Sequence, residues 1–226
     1  IPADAIVTTR GTTKIKPGAA ERYRERLRSI KARKDAPAKP YGQHFMCGII
    51  GILGHEGVAE ELVDGLKRLE YRGYDSAGIA TLVDGQIERR RAEGKLKNLA
   101  AEVRRSPLSG RSGIGHTRWA THGVPNVANA HPHSDGKVAI VHNGIIENFD
   151  ALREELSPRG IQWASDTDTE TILHLISAAL DDGLDPVEAV KSVIARLNGA
   201  FALAIPFADH DNLMIGARKG SPLAIG

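Results

Sequence analysis

Met46-Cys47-Gly48-Ile49-Ile50-Gly51-Ile52-Leu53-Gly54 contains the only cysteine in a chain of 226 residues. Glycine-punctuated aliphatics of this length predict a short buried strand over 47–53. A lone cysteine has no intramolecular disulfide partner, so Cys47 is either packing or chemistry. The residue before it is methionine, and an initiator methionine is trimmed when a small residue follows. Trimming at Met46 would give Cys47 a free α-amine beside its own thiol. Such an amine has a pKa of roughly 7.7–8.0, suited to a general base at neutral pH. Nucleophile and base would then reside in one residue.

The remaining sequence frames that strand as part of an α+β domain. Hydrophobic content of 41% and charged content of 26% suit a packed globular chain. Aromatic residues make up only 4%, and 24 glycines point to many loops and close backbone contacts. Val58, Leu62, Leu66 and Leu69 fall at helical spacing over 58–73, ending at Gly73. Residues 77–91 read as two strands joined by Asp84-Gly85, a two-residue hairpin turn. A helix follows over 95–103, then a strand from 112 running into a polar loop that ends at 123. Residues 137–146 alternate as a strand that stops at Asn143-Gly144. Further helices are expected over 147–160, 165–180 and 185–199, with short strands at 161–165 and 221–226 and paired strands at 199–207 and 212–218. Strands, then helices, then strands, without βαβ alternation, favour helices packed on antiparallel sheets. The chain is expected to be truncated, because its last residues lie in an apolar strand.

Charge divides the chain unevenly. Residues 1–45 carry 11 Lys/Arg against 4 Asp/Glu, whereas the remainder carries 19 against 24. A basic helix is expected over 19–36, followed by a proline-bearing linker, and 1–45 reads as a basic extension outside the domain of 47–226. Translated upstream sequence, a native arm and a transit peptide all remain readings of it. The body is mildly acidic, so nucleic-acid binding is not expected of it. No run of 18 apolar residues predicts a membrane span, and a single cysteine suits a reducing, cytoplasmic setting.

Several polar clusters sit at strand ends. His116-Thr117-Arg118-Trp119-Ala120-Thr121-His122-Gly123 brings together a guanidinium, hydroxyls, an indole and two imidazoles. The planar fork of arginine suits a carboxylate, although a solvated loop with one packed tryptophan has the same composition. Asn143-Gly144 offers a side-chain amide and an unobstructed N–H, a possible oxyanion hole, or else a type I′ turn. Asp168 is a candidate partner for an ammonium, or a first-turn acid capping its helix. His116, His122, His131, His133 and His142 cluster in sequence but lack a metal-site spacing. No metal is expected, and no phosphate-binding glycine pattern calls for a cofactor.

Six segments taken in order, CGIIGILG (47–54), EYRGYDSAG (70–78), HTRWATHG (116–123), NAHPH (129–133), HNGIIEN (142–148) and SDTDTE (165–170), resemble the glutaminase domain of the glutamine–fructose-6-phosphate aminotransferase family. Other class II amidotransferases with an N-terminal cysteine share fewer of them. The resemblance covers 47–226 and implies a four-layer αββα N-terminal-nucleophile sandwich, incomplete at its C-terminus. It implies Cys47 as nucleophile with its α-amine as base, and Asn143 with the Gly144 N–H as oxyanion hole. It also implies Arg118 on the substrate α-carboxylate, Asp168 on its α-ammonium, and Trp119, Thr121, His122 and His131 around the same pocket. Glutamine is the implied substrate, the isomerase domain is missing, and the complete family enzyme is a homodimer. A blocked, non-catalytic fragment that binds glutamine or a partner is the competing expectation.

Overall fold

The structure, a computed structural model, describes residues 4–10, 47–119 and 124–226. Among these residues, nine strands form two antiparallel sheets, with helices outside each. The first sheet runs β2 (Gly48–Leu53), β5 (Ser112–Arg118), β3 (Ser76–Val83), β4 (Gln86–Glu93). The second runs β1 (Asp4–Arg10), β9 (Leu213–Lys219), β8 (Gly199–Pro206), β7 (Ala139–Ile146), β6 (His133–Ser134). Helices α1 (Ala59–Lys67) and α2 (Leu96–Arg105) pack on the first sheet. Helices α3 (Phe149–Leu156), α4 (Asp168–Asp181) and α5 (Pro186–Ile194) cover the second. The result is the four-layer αββα sandwich that the resemblance implies.

Period-two alternation sorts each strand between two cores. On β7, Ile140 and Ile146 join the helix-side core with Ile172, Val190 and Phe201, whereas Ala139 and Val141 face the other sheet. The layer between the sheets is built from small residues, with Ala80, Ala139 and Ala204 beside Ile114 and Met214. Short side chains there let the sheets approach closely. On the outer side of the first sheet, Leu62 and Leu66 of α1 lie over Gly113 and Gly115 of β5. A methyl group at Gly115 would stand 2.9 Å from Ile50 Cγ2 and 3.3 Å from Leu66 Cδ1.

The Asp84-Gly85 turn takes positive φ at both residues, 49° and 76°, as a type I′ hairpin requires. Three expectations are corrected. Asn143-Gly144 does not end its strand: β7 continues to Ile146, paired with β8 through Gly144↔Phe201 and Ile146↔Gly199. Residues 161–165 form no strand, because the Ala164 and Ser165 N–H groups bond the Glu170 carboxylate at 2.7 Å each instead of a ladder. Residues 221–226 form no strand either, since β9 is already flanked by β8 and β1. Within the basic extension, Asp4–Arg10 pairs with β9 over seven residues, from Asp4↔Lys219 to Arg10↔Leu213, a strand its composition does not announce. The helix expected over 19–36 lies outside the described residues.

Leu66 is fully buried between α1 and β5. Leu66→Ala is expected to lower the unfolding free energy by about 2–5 kcal/mol, measured by urea denaturation.

Candidate active site

The two sheets and the start of α4 meet around a small open pocket of about 260 Å³, counting its mouth. Cys47, Arg118 and Trp119 line it from the first sheet, His142 and Gly144 from β7, Thr167, Asp168 and Thr169 from the start of α4, and His131 from the loop before β6. Antiparallel pairing of β2 with β5 sets Cys47 one residue beyond the Gly48↔Thr117 pair, next to Arg118 and Trp119. The Thr117 hydroxyl accepts from the Gly48 N–H at 3.2 Å and pins that strand end. The Trp119 N–H points at Cys47 Sγ at 3.3 Å, and Sγ lies 3.6 Å from the Trp119 carbonyl. Burial pushes the thiol pKa up, partly opposed by the Trp119 contact and the Arg118 guanidinium. The thiol therefore needs a base before it can attack an electrophile at neutral pH.

Two buried charges of opposite sign line the same pocket as this thiol. Arg118, 3% exposed, lies 3.8 Å from Asp75 Oδ1. Burial lowers its pKa, while Asp75, Cys47 and Asp168 favour the charged form. Asp168, 4% exposed, accepts from the Ile146 N–H at 2.9 Å and lies 3.7 Å from His142 Nδ1. It stands in the first turn of α4, where the helix dipole favours an acid, yet the bonded N–H comes from β7. A cavity with one fixed cation and one fixed anion suits a zwitterion.

Gly144 forms the wall opposite, with φ at 147°. A Cβ there would lie 2.1 Å from the Ala200 carbonyl oxygen of β8. Only glycine fits, for reasons of both conformation and space. Asn143 is buried on the β7 face shared by Ala139 and Val141, which turns toward the other sheet. It adjoins the pocket through Gly144 but is not among its lining residues. Trp119, 37% exposed, stands at the mouth. Thr121 and His122 lie outside the described residues.

Behind the pocket lies a layer of buried histidines. His131 Nε2 and His142 Nδ1 both bond the Thr169 hydroxyl, at 2.8 and 3.0 Å. His116 donates to the His142 carbonyl at 2.8 Å and stacks on His131 with centroids 4.3 Å apart. Burial is the main cause that brings His116 and His133 down to about 3 and His131 well below its ordinary value. Neutral imidazoles can therefore pack against one another. Among the described residues, no group of three or more His, Cys, Asp or Glu is arranged to hold a metal ion. Two arginines of β4 support the loop that carries His131: Arg91 donates to the Ala128 and Ala130 carbonyls at 3.1 and 2.8 Å, and Arg89 to the Pro132 carbonyl at 3.4 Å. Asn129 joins the same loop to the start of α4, its Oδ1 accepting from the Asp166 N–H at 2.9 Å.

Sequence reasoning missed Thr167, Thr169 and the pocket role of His142. The only signal for the threonines is the alternation in SDTDTE, where they flank Asp168, whereas His142 opens the HNGIIEN segment.

In fold the chain is similar to class II glutamine amidotransferases. Residues 116–221 match the family model described as glutamine amidotransferase domain. Over 181 residues it is 65% identical to the glutamine–fructose-6-phosphate aminotransferase [isomerizing] of Bradyrhizobium diazoefficiens and 60% identical to that of Zymomonas mobilis. Each match covers 80% of this chain and 30% of the relative's length. Among solved structures, it is similar to the glutamine phosphoribosylpyrophosphate amidotransferase of B. subtilis complexed with ADP and GMP. There the TM-score is 0.61 and the identity 25%, covering 75% of this chain and 41% of that one. A second, the allosteric regulatory enzyme of purine biosynthesis, shares the fold with a TM-score of 0.62 at 23% identity, over 75% of this chain and 41% of that one. Among the described residues, no helix is long and apolar enough to cross a membrane.

The histidine layer makes stability depend on pH. Above the ordinary histidine pKa of 6.5, native and unfolded chains are both neutral at these sites. Below it, the unfolded chain takes up protons that the native His116, His131 and His133 refuse, so stability falls as pH drops toward about 3. Urea titrations from pH 7 to pH 4 are expected to show this loss, its slope approaching one proton per histidine.

Proposed function

We propose that this chain hydrolyses the side-chain amide of glutamine at Cys47, and that the ammonia released serves the conversion of fructose 6-phosphate to glucosamine 6-phosphate. The observation that carries the reading is the meeting, in one small pocket, of the chain's only thiol with a buried guanidinium and a buried carboxylate. Glutamine is a zwitterion with an amide at its far end. Arg118 takes its α-carboxylate, Asp168 its α-ammonium, and the amide carbon comes to Cys47 Sγ. Trp119 and His131 line the same pocket, and Thr121 and His122 are assigned to glutamine binding with them.

The chemistry runs in two halves. With Cys47 as the first residue, its α-amine accepts the thiol proton, and the thiolate forms a C–S bond to the amide carbon. The carbonyl oxygen takes up negative charge, held by the Asn143 side-chain amide and the Gly144 N–H. The C–N bond then breaks, the ammonium form of the amine passes its proton to the leaving nitrogen, and ammonia departs. Water, deprotonated by the same amine, attacks the thioester and releases glutamate and the thiol. A peptide bond to Met46 would turn the amine into an amide that cannot accept a proton, so turnover belongs to the form that begins at Cys47.

The sugar-phosphate steps are assigned to the part of the relatives' length that this chain does not match, and a homodimer to the complete protein. A cytoplasmic setting follows from a chemistry that needs a reduced thiol.

Ammonia release from glutamine tests the reading. A chain beginning at Cys47 is expected to turn over, whereas the Cys47→Ala form and the chain still joined to Met46 are expected to be silent. Equal rates with and without the thiol would remove the nucleophile. Asn143→Ala is expected to lower kcat by about 10²–10³-fold, while Arg118→Ala raises mainly KM. The reverse pattern would mean that binding and catalysis have been exchanged between these residues.

A further inference from the structure

The segment Ser165–Glu170 enters α4 past the pocket, and its hydroxyls form a chain with a fixed direction. Glu170 is buried, and its carboxylate accepts from the Ala164 N–H, the Ser165 N–H and Ser165 Oγ at 2.7, 2.7 and 2.6 Å. His174 Nε2 lies 3.5 Å away and Arg153 Nη2 3.8 Å away. Burial would raise the Glu170 carboxyl, but His174, Ser165 and the two backbone N–H groups outweigh it and hold the pKa at about 2. An ionised carboxylate only accepts, so the Ser165 hydroxyl proton goes to Glu170.

Each later step then has one solution, because a hydroxyl carries one proton and two lone pairs. Ser165 Oγ faces Thr167 Oγ1 at 3.0 Å and the Thr167 N–H at 3.4 Å with its proton already committed. The Thr167 hydroxyl must therefore donate to Ser165. Thr167 Oγ1 in turn accepts from His133 Nε2 at 3.0 Å, which sets His133 as the Nε2–H tautomer. With one bond donated and one accepted, Thr167 Oγ1 retains one lone pair, and Thr167 lines the pocket together with Asp168.

We propose that Glu170 is a positioning residue that acts through Ser165 to hold Thr167 Oγ1 as an acceptor in the pocket, so that the site selects ligands presenting an ammonium beside Asp168. The identity of the ligand rests on the glutamine reading; the direction of the hydroxyl chain does not. The same geometry disfavours an acceptor or a methylene at that point, since neither gives Thr167 a proton. Thr169 carries no such fixed direction, because each of its two imidazole partners can donate or accept according to its tautomer.

Imidazole ¹⁵N NMR of the full chain at neutral pH tests the direction. His133 is expected as the Nε2–H tautomer, and an Nδ1–H signal overturns the proposal. Calorimetry tests the selectivity, with glutamine and glutaramate, its analogue without the α-amine, as probes. Ser165→Ala frees the Thr167 proton and is expected to weaken glutamine binding about 10-fold while changing glutaramate binding less than about 2-fold. Equal losses for both ligands, or none for glutamine, overturn the proposal. Thr167→Ser, which keeps the oxygen, is expected to retain the preference that Thr167→Val loses. If the wild-type chain binds no glutamine, the functional reading falls, while the His133 signal still decides the direction of the chain.

Discussion

The hydrogen bond from the Ile146 N–H to Asp168 Oδ2 joins the two elements that define the pocket. It fastens the N-terminus of α4 to the last residue of β7, two residues beyond Gly144. A buried carboxylate without such a partner would cost several kcal/mol of desolvation, so the bond both tolerates and locates the charge. Thr167 and Thr169 on either side of Asp168 then fall opposite His133, His131 and His142. Displacing the start of α4 would separate all of these contacts together.

A second constraint is the small-residue layer between the sheets. Alanines at 80, 139 and 204 bring β2 and β5 near β7, and a strand end from one sheet shares a cavity with the middle of a strand from the other. The price is packing area, since alanine buries little. The chain regains apolar burial on the outer faces, where Leu62, Leu66, Leu99, Ile172 and Phe201 are fully enclosed. Stability and site geometry thus lie in different layers of the sandwich.

Much of this was legible in residues that speak locally. The Asp84-Gly85 turn, the apolar stripe of α1 and the solitary thiol need no tertiary knowledge to be read. Arg118 and Asp168 also meet at the pocket as their chemistry suggests, together with His131, which only the resemblance placed there. What escaped depends on facing. Asn143-Gly144 has the composition of a turn, and only its pairing with β8 shows it to be mid-strand. Residues 161–165 carry strand-like side chains, but Glu170 captures their N–H groups and Trp163 packs under Arg153, 4.0 Å from the ring centroid. Thr167 and Thr169 are small polar residues with no signature of their own, and their importance follows from which turn of α4 meets the histidines. Thr121 and His122 stay expectations, since they lie outside the described residues.

The ladder between β1 and β9 places the first strand of the chain and Cys47 in opposite sheets. Scission of the polypeptide ahead of Cys47 would therefore liberate the amine without detaching what came before. Seven register pairs would keep the severed piece docked as a separate peptide, shielding the row of backbone donors and acceptors on β9 that otherwise invites intermolecular pairing. A matured molecule of this kind would be a noncovalent pair of chains, and would migrate as one species in native conditions and as two once denatured.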